Sequence, residues 1–339
     1  MDSHHASVED EINNVSMGRP HVVLLGAGAS RAAFRHGEYT GKVLPLMLDF
    51  TKHVPIDDLL PPESLNGNFE LLYSELANDP SKADIRAELE ARIFRYFSEM
   101  RLPPWPTLYD HLILSLRPKD VIATFNWDPF LIQAISRNRP LKGKGPAFLF
   151  LHGNVLSAYC SNDDVHGMRG ANCSRCGKAF EGVPLLYPIA QKNYEGSQSI
   201  SRSWAYLRKC LKAACIFTVF GYGAPNSDSS AVKLLKDAWG DVEERSLEQT
   251  ELIDIRDRDT LVKTWEPFIH THHYDVHSDF YQSWIAKHPR RTGEAYWSQY
   301  MEVKFVSENL IPRDVGFEEL WSWYEPLLAA EEEHARQVG

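Results

Sequence analysis

The stretch His21-Val22-Val23-Leu24-Leu25-Gly26-Ala27-Gly28-Ala29-Ser30 constrains this chain more than any other. Its apolar residues, Val22 to Leu25, carry the signal of a short buried strand. The strand runs straight into Gly-x-Gly-x-Ser, and an Ala-rich segment follows. Glycines there let the backbone turn tightly and approach a ligand with no Cβ in the way. A helix opening just beyond presents unpaired N–H groups and a positive dipole end, which suits a pyrophosphate. The full dinucleotide fingerprint is not present, because Arg31 occupies the position of the third glycine. A tight strand–helix turn without a ligand is the alternative reading of this stretch alone.

The rest of the chain sets the bounds. Its 339 residues give room for one large domain with insertions, or for two. A hydrophobic fraction of 43% and a charged fraction of 24% are those of an ordinary globular protein. The net charge of −10 argues against a dominant phosphate-binding surface, so no direct nucleic-acid partner is expected. No apolar run approaches the roughly 18 residues of a membrane span. Met1 to Met17 is polar and lacks the basic-then-apolar order of a signal peptide. The 5 cysteines, two of them spaced as Cys173-x-x-Cys176, read as a cytoplasmic protein with a metal site rather than a disulfide framework.

Buried-strand signals recur along the chain and alternate with helical periodicity. After the first strand, Phe69 to Met100 reads as two helices broken at Asn78-Asp79-Pro80-Ser81. Leu108 to Leu116 reads as a further helix. Strands are expected at 120–126, 147–151, 215–220 and 250–255, with Val303 to Val306 as a sixth. Helices over 130–136, 204–214 and 231–239 lie between them. This alternation predicts an α/β fold, a Rossmann-like doubly wound parallel sheet. It carries a helical insertion at about 53–103 and a small Cys-containing insertion at about 156–200.

Polar residues collect after the strands. Gly26–Ser30, Asn126–Asp128, His152–Asn154 and Gly221–Asp228 each follow a C-terminal strand end, the edge at which open parallel sheets bind ligands. Any one cluster has a bland reading. Asn126 or Asp128 serves as the cap of the helix that begins at Pro129, and Asp128 is the better placed of the two. His152 is read alternatively as a buried imidazole bonded to a backbone carbonyl. Four clusters at four strand ends favour a site.

In order, Gly26-Ala27-Gly28-Ala29-Ser30, Thr124-Phe125-Asn126-Trp127-Asp128, Leu151-His152-Gly153, a Cys-containing insertion and Phe220-Gly221-Tyr222-Gly223 resemble the sirtuin (SIR2-like) family. The resemblance is in particular to the SIR2-like domains of bacterial anti-phage defence proteins, and it covers about 20–265. It implies a sirtuin-like fold in which Gly26, Ala27, Gly28 and Ser30 cradle the pyrophosphate of NAD. By the same resemblance Thr124 belongs to the cofactor site, Asn126 orders the nicotinamide ribose and a water, and Asp128 lies near the nicotinamide end. His152 matches the catalytic histidine. Gly221 and Tyr222 face the adenosine half, and Ser227 and Asp228 lie near the rim.

Two departures bear on the reaction. The deacetylases of the family continue their first motif into Gly-Ile-Pro-Asp-Phe-Arg, which this chain lacks, and no convincing peptide-binding strand follows. Loss of the acyl-lysine partner with the NAD site retained makes water the expected acceptor. The expected activity is that of an NAD glycohydrolase (NADase) yielding nicotinamide and ADP-ribose, as the effector of an abortive-infection defence system. Alternatives are an NAD-dependent protein deacylase and a catalytically silent NAD- or ADP-ribose-binding subunit. The resemblance further implies restraint and activation through a homo-oligomer or a defence partner such as an ATPase, a short Argonaute or a nucleotide-processing subunit.

Two regions remain. Cys160, Cys173, Cys176 and His166 form a candidate tetrahedral zinc set, although the first of the family's two Cys-x-x-Cys pairs is not present. Residues 1–18 are expected as a flexible arm, 19–265 as the NAD-binding domain, and 266–339 as an aromatic-rich helical extension that contacts a partner or a second copy. In that extension His270, His272, His273, Asp275 and His277 read either as a metal cluster or as a loop and partner contact. Residues 316–338 read as an amphipathic helix pair.

Overall fold

The computed structural model describes residues 4–34, 37–189, 192–225, 228–270 and 272–338. Its centre is a six-stranded sheet whose strands are β1 (His21–Leu25), β2 (Val121–Thr124), β3 (Ala147–Phe150), β4 (Ile216–Phe220), β5 (Gln249–Ile253) and β6 (Tyr274–His277). Their spatial order is β3-β2-β1-β4-β5-β6, and every neighbouring pair is parallel. This is the doubly wound order, with its topological switch point between β1 and β4.

The helices follow from the crossovers that parallel strands need. They are α1 (Ala27–Ala33), α2 (Phe69–Asn78), α3 (Ala83–Ser98), α4 (Leu108–Leu114), α5 (Phe130–Arg137), α6 (Gln198–Ala213), α7 (Ser229–Trp239) and α8 (Arg258–Trp265). Both faces of the sheet are covered. Val23, Leu25 and Ile122 enter one apolar core with α2 to α5, while Val22, Leu24, Val121 and Ala123 enter a second with α6 to α8. Alternate residues of a strand point to opposite faces, so a strand buried on both sides reads as a continuous apolar run.

The two insertions form as expected. The helical one is α2 and α3, separated at Asn78 with Asp79 capping the next turn. The Cys-containing one is a three-stranded antiparallel sheet of Ser157–Cys160, Val165–Met168 and Glu181–Gly182.

Both chain ends differ from expectation. Within the expected flexible arm, His5–Ala6 pairs in parallel with Phe305–Val306, and Val8–Asn13 is a helix. Ser7 and Asp10 close a capping box at its start, and buried Glu11 bonds His288 at 2.9 Å. The sixth strand of the main sheet is Tyr274–His277 and not Val303–Val306, so the sheet continues past residue 265. The last segment is one helix, α9 (Phe317–Val338), rather than a pair, with Pro326 inside it. Much of the aromatic density of 266–339 is core: Phe280, Trp284, Tyr296 and Tyr324 are buried.

Candidate active site at the strand ends

Three glycines meet at the switch point. Gly26 donates its N–H to the Phe220 carbonyl at 3.0 Å, and Gly28 donates to Gly221 at 2.9 Å. A Cβ on Gly26 would stand 2.5 Å from the Gly221 oxygen, and one on Gly28 would stand 2.7 Å from the Gly221 Cα. Gly221 itself has φ +63, and a Cβ there would lie 2.2 Å from the Ala29 nitrogen. The glycines thus let two backbone loops pack in contact. Two N–H groups of the expected pyrophosphate cradle, those of Gly26 and Gly28, are already bonded within the protein. Ala27 and Gly28 are half-buried and form the open part of this loop.

A first polar group gathers beneath it. Ser30, on α1, lies 2.6 Å from Asp128 Oδ2 and 2.6 Å from the Tyr109 hydroxyl. Asn126 Nδ2 donates to Ser30 Oγ at 3.0 Å and to the Gly26 carbonyl at 2.9 Å. Thr124 Oγ1 accepts the Asn126 N–H at 3.0 Å, a serine/threonine turn that bends the chain out of β2 and aims the side chain. Thr124 therefore acts on the backbone. Asp128 Oδ1 accepts the Phe130 N–H at 3.3 Å at the start of α5, so this carboxyl caps a helix and also faces the site. Burial pushes Asp128 up to about 6.

A second group surrounds His152, which follows β3. Its ring packs 4.5 Å from that of Phe125 and is stacked 5.9 Å from that of Tyr194. Nε2 lies 3.4 Å from the Tyr194 hydroxyl and 3.9 Å from Asp228 Oδ1. Asp228 also pairs with Lys192 and accepts the Tyr222 hydroxyl at 2.9 Å. Tyr222 stacks on Phe125 at 4.5 Å. Burial lowers His152 to about 3, against the pull of Asp228, so the imidazole is neutral at pH 7. Asn126, Asp128 and His152 are 8%, 4% and 5% exposed. Asn226 and Ser227 lie outside the described residues.

The structure brings Gly26, Gly28, Ser30, Asn126, Asp128, His152, Gly221 and Tyr222 to one sheet edge. Sequence reasoning missed Tyr109, Lys192 and Tyr194. No motif marks them, since each comes from a helix or loop remote from the strand ends.

In the Cys-containing insertion the fourth member of the candidate metal set changes. Cys160, Asp163, Cys173 and Cys176 place one donor atom each within 4.8 Å of one another. Cys160 and Cys176 Sγ atoms are 3.6 Å apart, and Cys173 Sγ is 3.1 Å from Asp163 Oδ2. Thiolates at about 2.3 Å from a tetrahedral zinc lie about 3.8 Å apart, so the donor set fits that ion. The Gly177 N–H closes the knuckle by bonding the Cys173 carbonyl at 2.9 Å, with Gly177 at φ +75. His166 is not in this set. It faces Ser199 at 3.3 Å and the Tyr159 ring at 5.1 Å. The available signal was Asp163 itself, three residues after Cys160.

The second histidine cluster is strand and strand edge. Asp275 accepts from Gln249 at 2.7 Å and from the Trp284 indole at 2.8 Å, and His277 pairs with Glu251 at 3.5 Å. Among the described residues no metal-ligand group forms there. Among them, too, no helix is long and apolar enough to cross a membrane.

No family model and no curated protein matches the sequence. Solved structures similar to the chain include a Sir2 homologue in complex with NAD, 14% identical over 88% of this chain and 96% of that one, with a TM-score of 0.32. A Sir2 bound to acetylated peptide is 14% identical over 87% and 96%, with a TM-score of 0.36. A structure on sirtuin substrate affinity is 14% identical over 86% and 96%, with a TM-score of 0.38.

Proposed function

We propose that the protein is an NAD+ glycohydrolase that cleaves NAD+ to nicotinamide and ADP-ribose. The observation that carries this reading is the convergence of Ser30, Asn126, Asp128 and His152 on the edge of the sheet at its switch point. The chemistry asks little of the protein as a nucleophile. Nicotinamide leaves as a neutral base from a cationic ring, and the transition state resembles an oxocarbenium ion, as in glycoside hydrolysis. Water attacks C1′, the C1′–N bond breaks, and one proton is released from the water. Asn126 orders the ribose and that water. His152 is the base that takes the proton, and Asp228, with Oδ1 3.9 Å from Nε2, stands beside it to stabilise the imidazolium. Asp128 lies near the nicotinamide end.

The test is nicotinamide release from NAD+ by the purified full chain, alone and with the product of the neighbouring gene. Asn126→Ala and His152→Ala are each expected to lower turnover about a hundredfold or more. Turnover that survives both substitutions overturns the reading. One observation favours a second reading, NAD or ADP-ribose binding without turnover: Asn126, Asp128 and His152 are buried, and their polar groups are already partnered. Binding heat with NAD+ but no nicotinamide under any condition would select it. The same burial supports restraint of the enzyme until an assembly or a defence partner opens the site, with an anti-phage role as the biological setting. We further propose that Cys160, Asp163, Cys173 and Cys176 hold a structural zinc ion. It would fold the insertion outright, as small metal knuckles do.

A further inference from the structure

Ser30 Oγ has three polar neighbours: Asn126 Nδ2 at 3.0 Å, Asp128 Oδ2 at 2.6 Å and Tyr109 OH at 2.6 Å. A hydroxyl offers one proton and two lone pairs. The three neighbours therefore use it completely. The amide nitrogen of Asn126 has only protons to give, so it takes one lone pair. The other lone pair and the proton are divided between Asp128 and Tyr109. With Asp128 ionised, Ser30 donates to the carboxylate and the phenol donates to Ser30. With Asp128 protonated, the carboxyl donates to Ser30 and Ser30 donates to the phenol. In both states Tyr109 supplies the third partner.

Asn126 is fixed by the same arithmetic. Its second amide proton goes to the Gly26 carbonyl at 2.9 Å. Rotating the amide by a half-turn would set Oδ1 against that carbonyl oxygen, so the orientation is single-valued. Both protons are committed, and Oδ1 is the group left to meet a ligand. Ser30 and Tyr109 are each 1% exposed, so water does not substitute for either partner. Burial and the neighbouring Asp128 carboxyl push the phenol well above its ordinary range, against the opposing hydrogen bonds of the Ser30 and Asn126 side chains, so Tyr109 stays protonated. Asp128 is faced by the Ser30 hydroxyl, the Phe130 N–H and, through Ser30, this phenol.

We propose that Tyr109 is a positioning residue: its phenol completes the bonding of Ser30 and so holds the Asn126 amide with Oδ1 turned to the ligand. The inference deepens the hydrolase reading and rests on it for the identity of the ligand, while the hydrogen-bond network stands apart from it. The alternative is that Tyr109 fills space, its ring 5.9 Å from that of Phe130.

Tyr109→Phe separates the two, since it keeps the ring and removes only the hydroxyl. The first readout is independent of NAD: the carboxyl titration of Asp128 in the full chain, followed by carbon-13 NMR. Without the phenol the Ser30 hydroxyl loses the donor that polarises it toward the ionised carboxylate, so the Asp128 midpoint is expected to rise by about half a pH unit or more. Ser30→Ala, which leaves the phenol in place, is expected to raise it too. The second readout is nicotinamide release, where kcat is expected to fall about tenfold with KM within twofold. An unchanged titration overturns the proposal whatever the turnover. A shifted titration with wild-type kcat also overturns it. If the wild-type chain releases no nicotinamide, the hydrolase reading falls and Tyr109 is judged by the titration alone.

Discussion

Two buried titratable residues of the candidate site respond to pH in opposite directions. His152 is lowered to about 3 by burial. A base whose folded pKa is depressed contributes stability that is present above its unfolded value and is lost as pH falls toward the folded one. That loss runs from about pH 6.5 downward. Asp128 is raised to about 6 by the same burial. An acid shifted up contributes stability that is present below its unfolded value, about 3.9, and is lost as pH rises through about 6. Between pH 6.5 and 4 the two oppose each other. The thermal midpoint of His152→Gln is therefore expected to fall less over that window than that of the wild type, and the midpoint of Asp128→Asn to fall more. Parallel curves for the three proteins would show that these environments are not as buried as described. The placement of Asn126 and His152 at strand ends was legible in the sequence because each closely follows a strand, where chain position fixes spatial position. Tyr109 was not, because its partner Ser30 is 79 residues away in the chain.

Among the elements, the small antiparallel sheet of the Cys-containing insertion has little core of its own. Its strands are four, four and two residues long, and the last, Glu181–Gly182, is exposed. So small a unit needs a metal or a staple. The purified chain is expected to carry about one zinc per molecule. Asp163→Ala is expected to weaken retention against a chelator about tenfold or more, with His166→Ala leaving it unchanged. Equal retention in wild type and Asp163→Ala would remove Asp163 from the ligand set, and loss in His166→Ala would restore the histidine. The sequence carried the cysteine spacing. Which side chain stands fourth was decided by the turn between two strands, which points Asp163 toward the thiols and sends His166 toward Ser199.

Over the whole molecule, the two chain ends are keyed into the sheet by buried charge. Glu331 of α9 accepts from Arg290 Nε and Nη2 at 2.7 Å each and from Arg291 Nη1 at 2.7 Å. Both guanidinium groups are fully buried. Arg290, at φ +64, also donates to the carbonyls of Leu114 and Leu116 at 3.0 and 2.8 Å, just ahead of β2. Removing one partner of a buried pair leaves a charge with no compensation and costs about 3–5 kcal/mol. Glu331→Ala is expected to show a loss of that size in urea unfolding, and Glu331→Gln a smaller one. A midpoint within error of the wild type would mean that α9 is not part of the cooperative unit.

The sequence by itself determined the parallel α/β sheet, five of its six strands and the strand ends at which polar residues collect. Those features are local: short strand segments that are mostly apolar, turn residues directly after them, and helical periodicity between. Tertiary structure alone decided the rest. The β6 strand reads as a histidine-rich loop because its side chains are half-buried and polar, and it becomes a strand by pairing with β5. The N-terminal segment is too short to fold on local signals alone, although Ser7 and Asp10 mark its cap, and it is ordered by pairing with Phe305–Val306. The partners of Ser30 and the fourth member of the candidate metal set depend on tertiary contacts, which no local pattern encodes.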